Sequence, residues 1–235
     1  MNTRFAAALA ASLALGACNM SFSVGNNSSA GSDANESEAA TPATRRFVNS
    51  LQHARSDALR RHYVDFSFEY PSGWSMTPQP TDGTAQNYVR VAAPLADGYE
   101  PFAFHVGYAF GTGNAEADRR AMEAGLPQMA QRLGANFQNY QVVGMGPDEV
   151  GGVESLTWRF TATGPAIKNG APAQIYGRGD IVLPPGASRG VVLISLTTSR
   201  TNEVDSPGEV GEIGTLRAVY DSFRLQPGQP AAAKP

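Results

Sequence analysis

Phe66-Ser67-Phe68-Glu69-Tyr70-Pro71-Ser72-Gly73-Trp74 is the stretch on which the fold turns. Val64, Phe66, Phe68 and Tyr70 alternate with Asp65, Ser67 and Glu69, the two-residue period of a strand with one face in a core. Pro71 then fixes φ, Gly73 permits a left-handed turn, and Trp74 brings a large apolar surface back beside the strand. Downstream, Phe102, Phe104, Val106, Tyr108 and Phe110 repeat the alternation, with Ala103, His105, Gly107 and Ala109 on the other face. Small residues there predict close packing by a helix or neighbouring strand.

Working outward, residues 87–93 form a shorter strand, and 140–145, 153–163, 174–183 and 191–199 read as further strands. Gly151-Gly152, Gly164-Pro165 and Pro184-Pro185-Gly186 separate them as turns. Helical spacing appears in residues 114–133, where Met122, Leu126, Met129 and Leu133 line one side, and Pro127 is expected to kink or split that helix. Val210, Ile213, Leu216, Tyr220 and Phe223 mark a C-terminal amphipathic helix. Residues 45–61 also read as a short helix within a leading basic segment 45–62. Phe47, Leu51, Ala54 and Ala58 give it a narrow apolar stripe, and Arg45, Arg46, Arg55, Arg60 and Arg61 make the rest basic, with Asp57 the lone acid. Contact with lipid headgroups is one reading of these charges; a solvated helix face is the plainer one. Strands joined by short turns are antiparallel, and helices at intervals must cover the sheet. The fold class is therefore α+β, an antiparallel sheet between helices, without the βαβ pattern of a dinucleotide fold.

The first strand and its Tyr-Pro-Ser-Gly-Trp turn, with the ending Tyr220-Asp221-Ser222-Phe223-Arg224-Leu225, resemble the PsbP-like superfamily. That group includes the extrinsic photosystem II protein PsbP and bacterial envelope lipoproteins of the LpqN and DcrB type. The resemblance covers residues 63–225 and also follows the order hairpin, helix, antiparallel strands, final helix. It implies a PsbP-like α/β/α sandwich with docking or assembly roles. Nothing in this chain marks a photosystem partner, so that role is not carried over.

The amino terminus supplies an address. Arg4 precedes the apolar run Phe5 to Leu15, too short for a bilayer span of about 20 residues but of the length of a signal-peptide core. It ends in Leu15-Gly16-Ala17-Cys18, which resembles the bacterial lipobox: an aliphatic residue, two small ones, then a cysteine whose thiol accepts diacylglycerol. Cys18 is the chain's single cysteine, so no disulfide is available. Residues 1–17 are read as the lipoprotein signal peptide and Cys18 as the lipidation site; an ordinary leader with an incidental cysteine, or a buried N-terminal helix, are the plain alternatives. Asn19 replaces the aspartate that retains enterobacterial lipoproteins in the inner membrane, which points to the periplasmic face of the outer membrane. Residues 18–44, with the lipidated cysteine at their head, are Ser-, Asn-, Ala- and Gly-rich and read as a disordered tether. Residues 45–225 are the domain, and 226–235 a tail.

Composition narrows the function classes. Among 235 residues, 42% hydrophobic content suffices for a core, and a net charge of −3 gives no support for nucleic-acid binding. Lys168 and Lys234 are the two lysines, leaving arginine as nearly the whole basic complement. No catalytic, metal or cofactor constellation emerges. Gly186-Ala187-Ser188-Arg189-Gly190 matches a nucleophile elbow, but prolines precede it, a strand follows, and no histidine lies beyond His105. It reads as a hairpin turn. Gly111-Thr112-Gly113 lacks the third glycine of a dinucleotide loop and reads as a turn into Asn114, an N-cap. Arg178-Gly179-Asp180, an adhesion-like tripeptide inside a strand, is of a length that matches by chance. His53, His62 and His105 have no metal-ligand spacing. His105 reads as a hydrogen-bonded structural residue, and Asp148-Glu149 and Glu203-Asp205 as solvated turn acids. The expected role is a membrane-anchored, non-catalytic binding or assembly module, its partner an unidentified periplasmic protein or envelope polymer. A small-ligand carrier or hydrolase with a loop-built site, and a passive envelope component, are the alternatives.

Overall fold

The computed structural model describes residues 43–96, 99–164 and 172–226. The signal peptide, Cys18, nearly all of the tether and nearly all of the tail lie outside these residues.

Among the described residues, ten strands form two antiparallel sheets. The larger has seven strands: β3 (Ser75–Met76), β4 (Asn87–Ala92), β5 (Phe102–Phe110), β6 (Gln138–Val150), β7 (Val153–Thr163), β8 (Gln174–Val182) and β9 (Arg189–Thr198). Their spatial order is β3-β4-β5-β9-β8-β7-β6. One meander runs β3 to β5, helix α2 (Ala115–Gly134) carries the chain to the far edge, and a second meander returns until β9 pairs with β5. The smaller sheet places β2 (Asp65–Pro71) between β1 (Thr44–Val48) and β10 (Arg224–Gln226). This is the α+β architecture expected, with a three-stranded sheet added to it.

Alternation along the strands divides the core in two. Phe104, Val106, Val191, Leu193 and Val182 face one side, against Phe47, Phe66, Phe68 and Tyr70 of the small sheet and Leu216, Val219 and Tyr220 of helix α3 (Gly214–Ser222). Ala103, Ala109, Ile194, Leu196, Ile181, Trp158 and Phe160 face the other, against Leu126, Met129, Ala130 and Leu133 of α2. Trp158 and Phe160 lie across β8, where a Cβ at Gly179 would fall 2.2 Å from Trp158 Cζ2 and one at Gly177 2.1 Å from Phe160 Cζ. Trp74 is buried and stacks on Phe102 at 5.8 Å.

Turn chemistry follows the residues. Gly151 and Gly152 have φ of +60° and +81°, the pair of positive angles a two-residue hairpin turn demands. Pro185 and Gly186 occupy the centre of a turn closed by Ala187 N–H donating to the Pro184 carbonyl at 2.9 Å. Ser188 therefore sits in a hairpin between β8 and β9, as expected of the G-x-S-x-G stretch.

Three expectations are corrected. Residues 45–61 are not one helix: Thr44–Val48 is strand β1, laddered on β2, and only helix α1 (Asp57–Arg61) is helical. Pairing with an already alternating β2 outweighs a weak helical stripe, and Leu51 of that stripe is 65% exposed. Pro127 does not split α2, which continues through it. Pro127 and Glu123 are both exposed, so the carbonyl left without its helical donor faces water. Gly73 is absent from the positive-φ glycines, so the Pro71–Trp74 turn closes, by Trp74 N–H to the Pro71 carbonyl, without a left-handed residue.

Candidate functional site

The sheet face under α3 carries a buried ionic lattice. Tyr176, Arg178, Asp180 and Val182 share that face of β8, since side chains alternate along a strand. Arg178 is 2% exposed and Asp180 fully buried. Arg178 Nε–H donates to both Asp180 oxygens at 3.0 Å. Thr157 and Tyr220 hydroxyls donate to Asp180 as well, Tyr220 at 2.8 Å to Oδ2. The Tyr220 hydroxyl also lies 2.8 Å from Ser195 Oγ, and the Arg178 guanidinium sits 4.5 Å over the Tyr220 ring.

Outward from this pair, Arg178 Nη1 donates to Glu212 at 2.6 Å and Nη2 lies 3.1 Å from Asp148. Arg159, one strand over on β7, reaches the same two acids at 2.6 and 3.4 Å. Its Nη1 also donates to the carbonyls of Pro207, Gly208 and Val210, fastening the loop before α3 to the sheet. Gly211 (φ +80°) brings that loop close: a Cβ there would meet the Tyr220 ring at 2.9 Å.

Electrostatically the lattice is strongly perturbed. Burial pushes the Asp180 carboxyl above the usual carboxylate range, against the pull of Arg178, Thr157 and Tyr220. Burial also opposes the Arg178 charge, yet Tyr220, Asp180 and Asp148 outweigh it and hold the guanidinium above its ordinary value. Burial, then Asp180, raises the Tyr220 phenol well above normal. The phenol therefore stays a protonated donor.

Above the lattice, a polar cleft of about 450 Å³ opens between the β6–β7 turn and α3. Asp148, Glu149, Glu212, Asp221 and Arg224 line it, with Arg178 and Tyr220 at its floor. Among the described residues no group of three or more His, Cys, Asp or Glu side chains is arranged to hold a metal. The arrangement can seat polar or charged groups of a partner; the lattice atoms at its floor are committed to one another.

A second recess, about 230 Å³, lies between the start of α2, Glu154–Leu156 and Leu183–Gly186. It is below the roughly 300 Å³ of small-molecule sites, so it lends no support to a ligand-carrier reading. An Arg119–Glu154 ion pair lines it.

The sequence-expected residues fall as follows. Asn114 caps α2, accepting from Ala117 N–H at 3.0 Å. Asp118 completes that corner by accepting from Thr112 and Gly113 N–H at 2.7 and 3.0 Å. Asp148 is no solvated turn acid but an ion-pair partner. Glu203 is likewise corrected: it accepts from Thr215 N–H and Oγ1 at 2.7 Å, capping α3, whose own N-cap residue Ile213 offers no side-chain acceptor. His53 contacts Ser50, and His62 stacks on Tyr108 and Phe110. His105 is 1% exposed, and neither ring nitrogen has a hydrogen-bond partner, contrary to the expected bonded role. Burial first, then neighbouring Arg90, lowers its pKa to about 3, so it is a neutral core ring. The site that sequence reasoning missed is the Arg178–Asp180 pair. Its signal was there: two opposite charges, two residues apart, in a strand whose other residues after Gln174 are Ile, Tyr, Gly and Val.

No family model matches the chain, and no curated protein matches it. Solved structures do. The solution structure of cyanobacterial PsbP (CyanoP) from Synechocystis sp. PCC 6803 is 11% identical, with 82% of this chain and 98% of that one covered at a TM-score of 0.50. LpqN of Mycobacterium tuberculosis, described as involved in cell envelope biogenesis, is 12% identical over 78% and 92%, TM-score 0.43. The Saccharomyces cerevisiae Ran-binding protein Mog1p is 10% identical over 79% and 96%, TM-score 0.42. The cyanobacterial likeness carries the fold: the domain has the PsbP-like architecture that the two short motifs suggested.

Proposed function

We propose that this chain, a PsbP-like domain behind a lipobox cysteine, is an envelope lipoprotein whose domain binds a partner rather than transforming a substrate. The observation that carries the binding role is the cleft between the β6–β7 turn and α3, a preformed polar recess on an ion-paired floor. Partner selection by fixed charges at a rigid surface is what such a recess supplies. The address rests on Leu15-Gly16-Ala17-Cys18, and the absence of aspartate at Asn19 supports the outer membrane. Several acyl chains at about 0.8 kcal/mol per buried CH₂ hold such a protein at the bilayer. The occupant of the cleft is a periplasmic protein or an envelope polymer.

Two experiments test this. Cys18→Ala is expected to shift the protein from the membrane to the soluble fraction and abolish incorporation of labelled palmitate; unchanged retention refutes the anchor. For the cleft, a photo-crosslinking residue replacing Asp221 in the full chain is expected to give a discrete adduct in intact cells. Adding Glu149→Lys should remove that adduct without changing the protein's level. An adduct pattern indifferent to Glu149→Lys, or shared with a probe at Arg132 on α2, refutes the cleft as the docking site.

A further inference from the structure

A second surface is set apart by charge. Although the chain is net negative, residues 44–61 hold five arginines, Arg45, Arg46, Arg55, Arg60 and Arg61, all exposed, against the single acid Asp57. The same segment exposes two aliphatic side chains, Val48 at 59% and Leu51 at 65%. Arg189, also exposed, joins it: its Nη1 donates to the Tyr63 carbonyl at 3.4 Å, just past the end of α1. The neighbouring acids are engaged. Asp57 pairs with Arg60 at 3.4 Å, Asp65 accepts from the Tyr63 hydroxyl at 2.6 Å, and Glu69 accepts from Thr44 Oγ1.

We infer that the outward side of this segment, Arg46 and Val48 on the side of β1 opposite buried Phe47, with Leu51, Arg60, Arg61 and Arg189, docks on anionic phospholipid. Charge complementarity is one reason, since cationic side chains close to an anionic leaflet contribute about 1 kcal/mol each, roughly fivefold in partitioning. The chain's route is the second. Residues 44–61 follow on residues 18–43, the 26 residues that run from Cys18 to them. The inference rests on Cys18 anchoring for this point, which makes the basic segment the first described part of the domain after the anchor. Thirdly, Val48 and Leu51 suit the boundary between headgroups and acyl chains, where a nucleic acid or an anionic polysaccharide would leave them without apolar contact.

The test uses the chain from residue 18 onward carrying Cys18→Ala, which holds every described residue and no lipid, so failure of lipidation does not affect the readout. Sedimentation with phosphatidylethanolamine–phosphatidylglycerol vesicles is expected to show at least about tenfold stronger partitioning than with phosphatidylcholine vesicles at low salt, weakening as salt rises. R60Q/R61Q should reduce partitioning about 25-fold, and Leu51→Gln should reduce what survives at high salt. All three positions are exposed, so folding should be intact, checked by unchanged tryptophan fluorescence. Equal partitioning on both vesicle types, or an R60Q/R61Q variant that binds as well, overturns the inference. So does binding to heparin as tight as to the anionic vesicles, with Leu51→Gln without effect, because the surface would then recognise an anionic polymer.

Discussion

His105 offers the sharpest quantitative test of the core. The ring is sealed in the sheet beside Arg90, with both nitrogens unpartnered, and its pKa is about 3 against 6.5 in an unfolded chain. The native state therefore excludes a proton that the unfolded chain accepts below pH 6.5. Stability from this group is fully present above about pH 6.5 and is lost as pH falls toward 3, by up to about 5 kcal/mol at 1.36 kcal/mol per unit. Between pH 7.5 and 5.0 the same relation gives a loss of about 2 kcal/mol. With a urea dependence of about 2 kcal/mol per molar, the midpoint should fall by roughly 1 M. Burial also lowers His53 and His62, so the diagnostic quantity is the difference between wild type and His105→Leu. The leucine variant replaces two unpartnered polar atoms with apolar ones and should be about as stable at pH 7.5 or more so. Urea titrations followed by fluorescence of Trp74 and Trp158, at both pH values, measure it. If the two proteins lose stability in parallel, the ring is not excluded from protonation and the description of this part of the core is wrong.

Other perturbations follow from specific contacts. Arg178→Met should destabilise by about 3–5 kcal/mol, because it strands the Asp180 carboxyl in the interior; adding Asp180→Leu should recover part of that loss, and chemical denaturation of the single and double variants decides it. Gly179→Ala places a methyl 2.2 Å from the Trp158 ring and should cost about 1–3 kcal/mol, whereas Gly144→Ala, where a Cβ meets nothing within 4 Å, should be nearly silent in thermal melts. Glu203→Ala removes the acceptor for Thr215 and should cost about 1 kcal/mol, with faster amide exchange confined to the first turn of α3.

Much of the scaffold was legible in short-range pattern. Phe66, Phe68 and Tyr70 alternate because β2 has one buried face; Gly151-Gly152 marks a turn because its two residues both need positive φ; Asn114 marks the start of α2 because its side chain accepts from the first turn. These are effects of residues within a few positions of one another. Strand β1 was not legible in this way: residues 44–48 carry only Phe47 on a buried face, and their state is set by a ladder to residues 67–71. Glu203 misled for a related reason, since its partner Thr215 is 12 residues on.

The chain alone thus determined most strands of the larger sheet and the glycine and proline turns between them, which depend on neighbours in sequence. Only tertiary structure decided that Arg178 and Asp180 face inward together, that Asp148 and Glu212 close on Arg178 from 30 and 34 residues away, and that His105 has no partner. The physical reason is desolvation. A buried charge is tolerable only if the fold brings counter-charges to it, and those come from strand order and loop closure, which no local period encodes.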